Sequence, residues 1–512
     1  MTIPSASPSL QIAMAHYQAG RLPEAEAAYR QVLQVHPEQP DALHFLGIIA
    51  HQSGNGEAAV ELIGRALRAK PSAPMYCNLG IVLQAQGKLE AAKDSYRKAI
   101  ALRPNQAELH HYLGDTLRAQ GDLDAATNSY SKALELRPDY AGACIGLGNA
   151  FHHLNKLSAA EECYRKALAL PDDGNTPRAD VLNEYAIVLF KLGRYDEAAA
   201  EFKKALQLKP NNPLISQGYR ATLAKLIPRW HFSMLADHDR NAAFRKAIDK
   251  HCAGAGLVLE IGTGSGLLAM MAARAGASKV VTCEAVPVIA ENAQQIIAAN
   301  GYSERISVYP LRSTALMVGR ELPERADILL AEILSSEILA EGALDTLADA
   351  RRRLLKPGAR IIPHAVTVCG ALVSSTALHE QTSVKMIEGF DLSAFNEFAP
   401  SLITVPKGAT YEIVSKAFYP FNFVMGEQSS ASTTINFQIR AEKTATIHGI
   451  VQWMKVFLDE DICLENAPSD EGGTDHWGAV FHPFTREIEV AAGQEIAICC
   501  EIEGTALKMR LA

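Results

Sequence analysis

The pair Leu-Gly returns at Leu46-Gly47, Leu79-Gly80, Leu113-Gly114 and Leu147-Gly148, in steps of 33, 34 and 34 residues. A proline closes each unit, at Pro37, Pro71, Pro104, Pro138, Pro171 and Pro210. GKLEAAKDSYRKAIALRP, GDLDAATNSYSKALELRP and GRYDEAAAEFKKALQLKP repeat one plan of apolar and polar positions. A fixed period of this length means one supersecondary unit stacked on copies of itself, because a single unit cannot bury its own apolar face. Small residues such as Ala91 and Ala125 are expected to let paired helices approach, and Tyr96 and Tyr130 to fill the gap to the next helix. The proline ends the second helix of each unit, since its ring and missing N–H cannot continue one. The last gap, 39 residues from Pro171 to Pro210, contains the insertion PDDGNTPRAD.

Period and chemistry together resemble the tetratricopeptide (TPR) repeat, over about six units in residues 8–215. The resemblance implies an all-α solenoid whose concave face suits a bound peptide or protein. The plainer alternative is an array that only holds a dimer together or packs on the rest of the chain.

After about residue 225 the period changes. GLVLEIGTGSGLLAMMAARAGASKVVTCEA (256–285) reads as strand, glycine turn, helix and second strand, a βαβ unit. The turn is GxGxG, at Gly262, Gly264 and Gly266, with Leu267 following. A dinucleotide fold prefers GxGxxG, which seats a pyrophosphate at the helix start. Glu284 ends the second strand, where a carboxylate can accept the two hydroxyl protons of a ribose. Ribose without pyrophosphate points to S-adenosylmethionine (SAM) rather than NAD. Further on, AEILSSEILAEG (331–342) follows the apolar run ADILL and carries Glu332, Glu337 and Glu341 with no Lys or Arg. Such carboxylates repel one another and lose hydration unless a cation joins them.

The chain is 48% hydrophobic and 21% charged, which marks a globular protein. A formal net charge of −8 argues against broad binding of nucleic acid or an anionic membrane. The nine cysteines form no CxxC and their number is odd, so a reducing cytoplasm fits better than a disulfide framework, with nuclear entry left open. The start, MTIPSASPSLQIAMAHY, lacks a basic stretch leading into an apolar one, no window approaches a membrane span, and no metal is expected.

From about residue 228 onwards the chain resembles the protein arginine methyltransferases. Four stretches carry the likeness: PRWHFSMLADHDRNAAFRKAI (228–248), the LEIGTGSG turn, Glu332 with Glu341 nine residues on, and TDHWGAVF (474–481). EGFDLSAFN (388–396) resembles the segment near that family's dimerisation arm. An N-terminal TPR array is similar to the family's seven/nine branch. The resemblance implies a multidomain fold: the solenoid, a Rossmann-like SAM-binding domain over 225–365, and a β-barrel domain over 366–512 with the arm near 372–405. KPGARIIP would join the last two.

The implied activity is methyl transfer from SAM to a guanidino nitrogen of arginine in a protein substrate. A guanidinium offers five donors in a planar fork, so two carboxylates can grip its edges. By resemblance Glu332 and Glu341 take the guanidinium, and His476 pairs with Asp237 and closes the site. Trp477 is expected as a wall beside the substrate. Arg240 would pair with the SAM carboxylate, His231 and Met234 would border its methionine end, and the Gly262–Gly266 turn would pass beneath it. Glu284 would take the ribose hydroxyls, and Ser313 and Thr314 would contact adenine. Ala315 stands where related members often carry an acid, and Asp475 replaces the threonine of the family's Thr-His-Trp loop. A homodimer or an intramolecular pseudo-dimer is implied. Two other functions compete: methylation of another acceptor such as a free guanidino compound, and a TPR scaffold whose methyltransferase fold is inactive.

Overall fold

The computed structural model describes residues 8–171, 177–228, 230–335, 342–406, 408–427, 432–467, 477–504 and 506–512. The chain forms two compact units that divide between Lys225 and Leu226.

The first unit is an array of helix pairs, such as Ala73–Ala85 with Leu89–Leu102 and Ala107–Ala119 with Leu123–Leu136, as the period predicts. Second helices end at Val35, Ala69, Leu102, Leu136, Ala169 and Leu208, each two residues before a proline. The residue preceding a proline is pushed out of the α region, which fixes that stop. Tyr96, Tyr130 and Tyr164 are fully buried. They fill the expected gap because Gly80, Gly114 and Gly148 leave room: a Cβ there would stand 2.6, 2.7 and 2.9 Å from the respective tyrosine ring. The close-approach alanines are Ala92 and Ala126, both fully buried; Ala91 is exposed and Ala125 half-buried, one position off the packed face.

The second unit opens on a five-stranded parallel sheet: β1 Leu257–Ile261, β2 Lys279–Cys283, β3 Ile306–Tyr309, β4 Ala326–Leu330 and β5 Leu355–Ile362. Their order is β3-β2-β1-β4-β5. Strand β1 is buried at every position, as a parallel strand covered on both faces must be. KPGARIIP forms most of β5, and the chain then enters antiparallel structure. There, a seven-stranded sheet is centred on Ala365–Ser374 and Ala445–Phe457, and a three-stranded sheet joins Ser432–Arg440, Glu495–Glu503 and Ala506–Leu511. Val368, Ile450 and Met454 of the larger sheet share one apolar core with Ile498 and Cys500 of the smaller, so the expected barrel is built from these two sheets.

The segment expected as an arm runs from Ser374 through helix Thr376–Glu380, a ribbon of Met386–Ile387 against Phe390–Asp391, and a 3₁₀ turn at Ser393–Phe398. Met386, Ile387, Phe390, Leu392, Phe395 and Phe398 are all exposed on it.

Candidate active site

In a parallel sheet of order β3-β2-β1-β4-β5, the connections leave β1 and β4 in opposite directions. Ligands of such sheets bind in the crevice beyond the strand C-termini at that switch. A cavity of about 400 Å³ lies there, bordered by the ends of β1, β2 and β4. This is the size of small-molecule sites.

The glycine turn shapes its floor. Gly262 (φ +85°) and Gly266 (φ +80°) lie in the left-handed region that β-carbons disfavour. A Cβ on Gly262 would stand 2.8 Å from Ile333, and one on Gly266 3.0 Å from Ile297. Gly264 donates its N–H to Glu284 Oε2 at 3.1 Å, and Val286 donates to Oε1 at 3.0 Å. Glu284 is thus fixed across the turn before any ligand arrives, with its remaining lone pairs toward the cavity it lines.

Glu260, the last residue but one of β1, lines the same cavity and is 1% exposed. Thr282 donates to its Oε2 at 2.6 Å, and Thr263 joins Thr282 at 2.6 Å. Oε1 has no partner within hydrogen-bond distance among the described residues. Burial pushes the carboxyl up to about 8, against the Thr282 hydroxyl and the Ala269 amide, which favour the charged form. The sequence pattern showed this acid at the end of a buried strand but no role for it.

Asp237 caps helix His238–His251 by accepting the Arg240 N–H at 2.8 Å. That cap sets the first helical turn and turns Arg240 inward, where it is 2% exposed and lies 4.9 Å from the Phe244 ring. Arg240 Nη2 donates to Glu332 Oε2 at 2.7 Å across 92 residues of sequence, and Nη1 donates to Asn241 at 2.8 Å. Its Nε is buried with no partner among the described residues. Two residues predicted for opposite ends of the reaction, one for the cofactor and one for the substrate, therefore touch.

His231 and Met234 border the cavity on the helix Trp230–Ala236, with Trp230 stacked on His231 at 4.0 Å. Ser313 and Thr314 border it on the 3₁₀ turn after β3. Trp477 is buried, and its Nε1 donates to Leu334 O at 3.2 Å. It braces the segment that carries Glu332 and is not among the cavity's lining residues. Glu341 and His476 lie outside the described residues, and with them the expected Asp237–His476 pair. The donor set suits a zwitterionic nucleoside: a guanidinium with a spare buried N–H for a carboxylate, a pre-set carboxylate for a diol, and a glycine floor with no room for side chains.

Comparison with known proteins agrees with this division. Tetratricopeptide repeat models match residues 10–74, 71–139, 113–175 and 145–213. A model described as ribosomal protein L11 methyltransferase (PrmA) matches 237–366, and the arginine methyltransferase oligomerization subdomain matches 364–510. Arginine N(omega)-methyltransferase of Streptomyces achromogenes subsp. streptozoticus is 33% identical over 321 residues, 61% of this chain and 87% of that protein. Protein arginine N-methyltransferase 9 of Mus musculus is 28% identical over 327 residues, 57% of this chain and 39% of that protein, so the chain spans well under half of this relative. The Trypanosoma brucei PRMT1 enzyme-prozyme heterotetrameric complex with AdoHcy superposes with a TM-score of 0.50 at 21% identity, over 56% of this chain and 93% of that one, a likeness of fold. With most of a relative's length matched at one-third identity, the chain belongs to the arginine N-methyltransferase family, its catalytic part preceded by tetratricopeptide repeats.

Proposed function

We propose that the protein transfers a methyl group from SAM to a terminal guanidino nitrogen of arginine in a protein substrate, which the TPR array recruits. The observation that carries this reading is the buried contact between Glu332 and Arg240: the Glu332 carboxylate already accepts a guanidinium N–H at 2.7 Å inside the cavity. A carboxylate built to hold one guanidinium edge in a water-poor cavity can hold another.

SAM, when bound, supplies an electrophilic methyl group on a sulfonium. Arg240 would hold its carboxylate and Glu284 its ribose hydroxyls. Glu332, with Glu341, would grip the substrate guanidinium and aim one nitrogen at the methyl carbon, so that catalysis is chiefly positioning and electrostatics. Holding positive charge at the far nitrogens localises electron density on the attacking one. The new N–C bond would form as the methyl carbon's bond to sulfur breaks, its electron pair going to sulfur to leave S-adenosylhomocysteine. The attacking nitrogen's extra proton must then leave, and the Asp237–His476 pair or a glutamate would take it. The exposed apolar residues of the 372–405 arm support a head-to-tail homodimer.

A free guanidino acceptor is the second reading, favoured by the Streptomyces relative, whose name specifies arginine without specifying protein. One experiment separates the two. Purified protein is incubated with methyl-labelled SAM and a lysate of the source cell, and protein and small-molecule fractions are analysed separately by mass spectrometry. Label in methylarginine of the hydrolysed protein fraction, lost in Glu332→Gln, is the expected result. Label only in the small-molecule fraction would establish the free acceptor. No transfer, with no binding of SAM, would leave the scaffold.

A further inference from the structure

Helix Ala343–Leu354 spans the site: Thr346 lines the cavity near its start, and its last turn carries Arg351, Arg352 and Arg353. Arg353 reaches the turn Ser313–Ala315. Its Nη2 donates to Ser313 O at 3.1 Å and its Nη1 to Leu316 O at 2.9 Å. Asp349, one helical turn earlier, accepts from Nε at 2.8 and 2.9 Å and from Nη2 at 2.5 Å. The guanidinium is thus locked to its own helix on one edge and grips both flanks of a cavity-lining turn on the other. The Asp349 carboxyl is correspondingly held down at about 2, chiefly by its hydrogen bonds to Arg353.

The turn's place in the sheet says what it serves. Arg240 and Glu332 stand beside the β1/β4 switch, and Glu284 follows β2, whose last residue is Cys283. The turn follows β3, the edge strand beyond β2, so it lies past the ribose position on the side away from the reacting groups. It contains no acid: Ser313, Thr314 and Ala315 offer only hydroxyls and backbone groups to a base. Recognition by such groups depends on the shape of the turn, which a side chain cannot re-aim. We propose that Arg353, clamped by Asp349, is a positioning residue for the nucleoside end of the cofactor, acting through the carbonyls of Ser313 and Leu316. The proposal rests on the use of SAM set out above.

The test compares the full chain with Arg353→Gln and Arg353→Lys by calorimetric titration with S-adenosylhomocysteine and with 5′-methylthioadenosine, which lacks the amino-acid end. Loss of hydrogen bonds that fix the turn is expected to weaken both ligands by the same factor, about tenfold. KM for SAM should rise by that factor, while kcat at saturating SAM changes by less than about twofold. Arg353→Lys keeps the charge but on a single donor nitrogen, and should shift binding in the same direction by less, which keeps the test decisive should the Gln variant fail to fold. Unchanged affinities in folded variants would overturn the proposal. So would weaker binding of S-adenosylhomocysteine alone, which would place the effect at the amino-acid end, or a fall in kcat without a change in affinity. Failure of the wild type to bind either ligand would instead refute the use of SAM, and this inference with it.

Discussion

Glu260→Gln tests whether the cavity holds a protonated carboxyl. Burial lifts Glu260 from an ordinary 4.5 to about 8. Between those values the unfolded chain has released this proton and the folded chain keeps it, so the unfolded state binds about one proton fewer. Stability then falls by about 1.4 kcal/mol for each pH unit. The group's contribution is absent below pH 4.5, grows through the window and levels off above pH 8, for a fall of up to about 5 kcal/mol. Glutamine does not titrate, so the variant lacks this slope. Other groups drift in the same range, among them His448 and His482, whose burial lowers their pKa, but they are common to both proteins and cancel in the difference. Trp230, Trp453 and Trp477 are the chain's three tryptophans, and all lie beyond Leu226. Their fluorescence during denaturant titration therefore follows the unit that contains Glu260. The difference in unfolding free energy, variant minus wild type, should rise steadily from pH 5 to pH 8 and then stay level. Parallel profiles for the two proteins would refute the protonated carboxyl.

Two other outcomes follow from contacts described above. Arg240→Met should destabilise the same fluorescence transition by about 3–5 kcal/mol, because it removes the buried cation paired with the Glu332 carboxylate; adding Glu332→Gln should restore part of the loss, and additive effects would show that the pair is not coupled. Phe390→Asp with Phe398→Asp, both at exposed apolar positions, should convert a dimer to a monomer in sedimentation velocity, and an already monomeric wild type would refute the arm's proposed role.

The repeat array was legible because its period, its closing prolines and its aromatic positions are local. The small residue of the packed face lies one position beyond Ala91 and Ala125. Each is followed by a second alanine, and only the distance to the tyrosine decides between them. Ala92 and Ala126 stand four residues before Tyr96 and Tyr130, hence on the same face. The βαβ unit and Glu284 were readable for the same reason, as motif and strand sit side by side. Contacts between distant segments left no such trace. Nothing in the spacing joins Arg240 to Glu332, and nothing distinguishes Arg353 from the two arginines before it until the helix is wound. Trp477 shows the converse: the resemblance of TDHWGAVF implies a wall beside the substrate, and its indole reaches back to Leu334.

The seat of Tyr130 has a consequence for how such a chain can change. Its ring fits against Gly114 in its own helix pair and against Gly146 in the next, so the same interface closes a repeat and opens its successor. Gly146 stands where the other units carry Phe45, Asn78 and Tyr112, and a Cβ there would lie 2.4 Å from Tyr130, so this seam fits only its own two helix pairs. A gene that lost or gained a helix pair at this seam would have to supply a new small residue opposite the tyrosine, so the array is free to change length only where its neighbours already match.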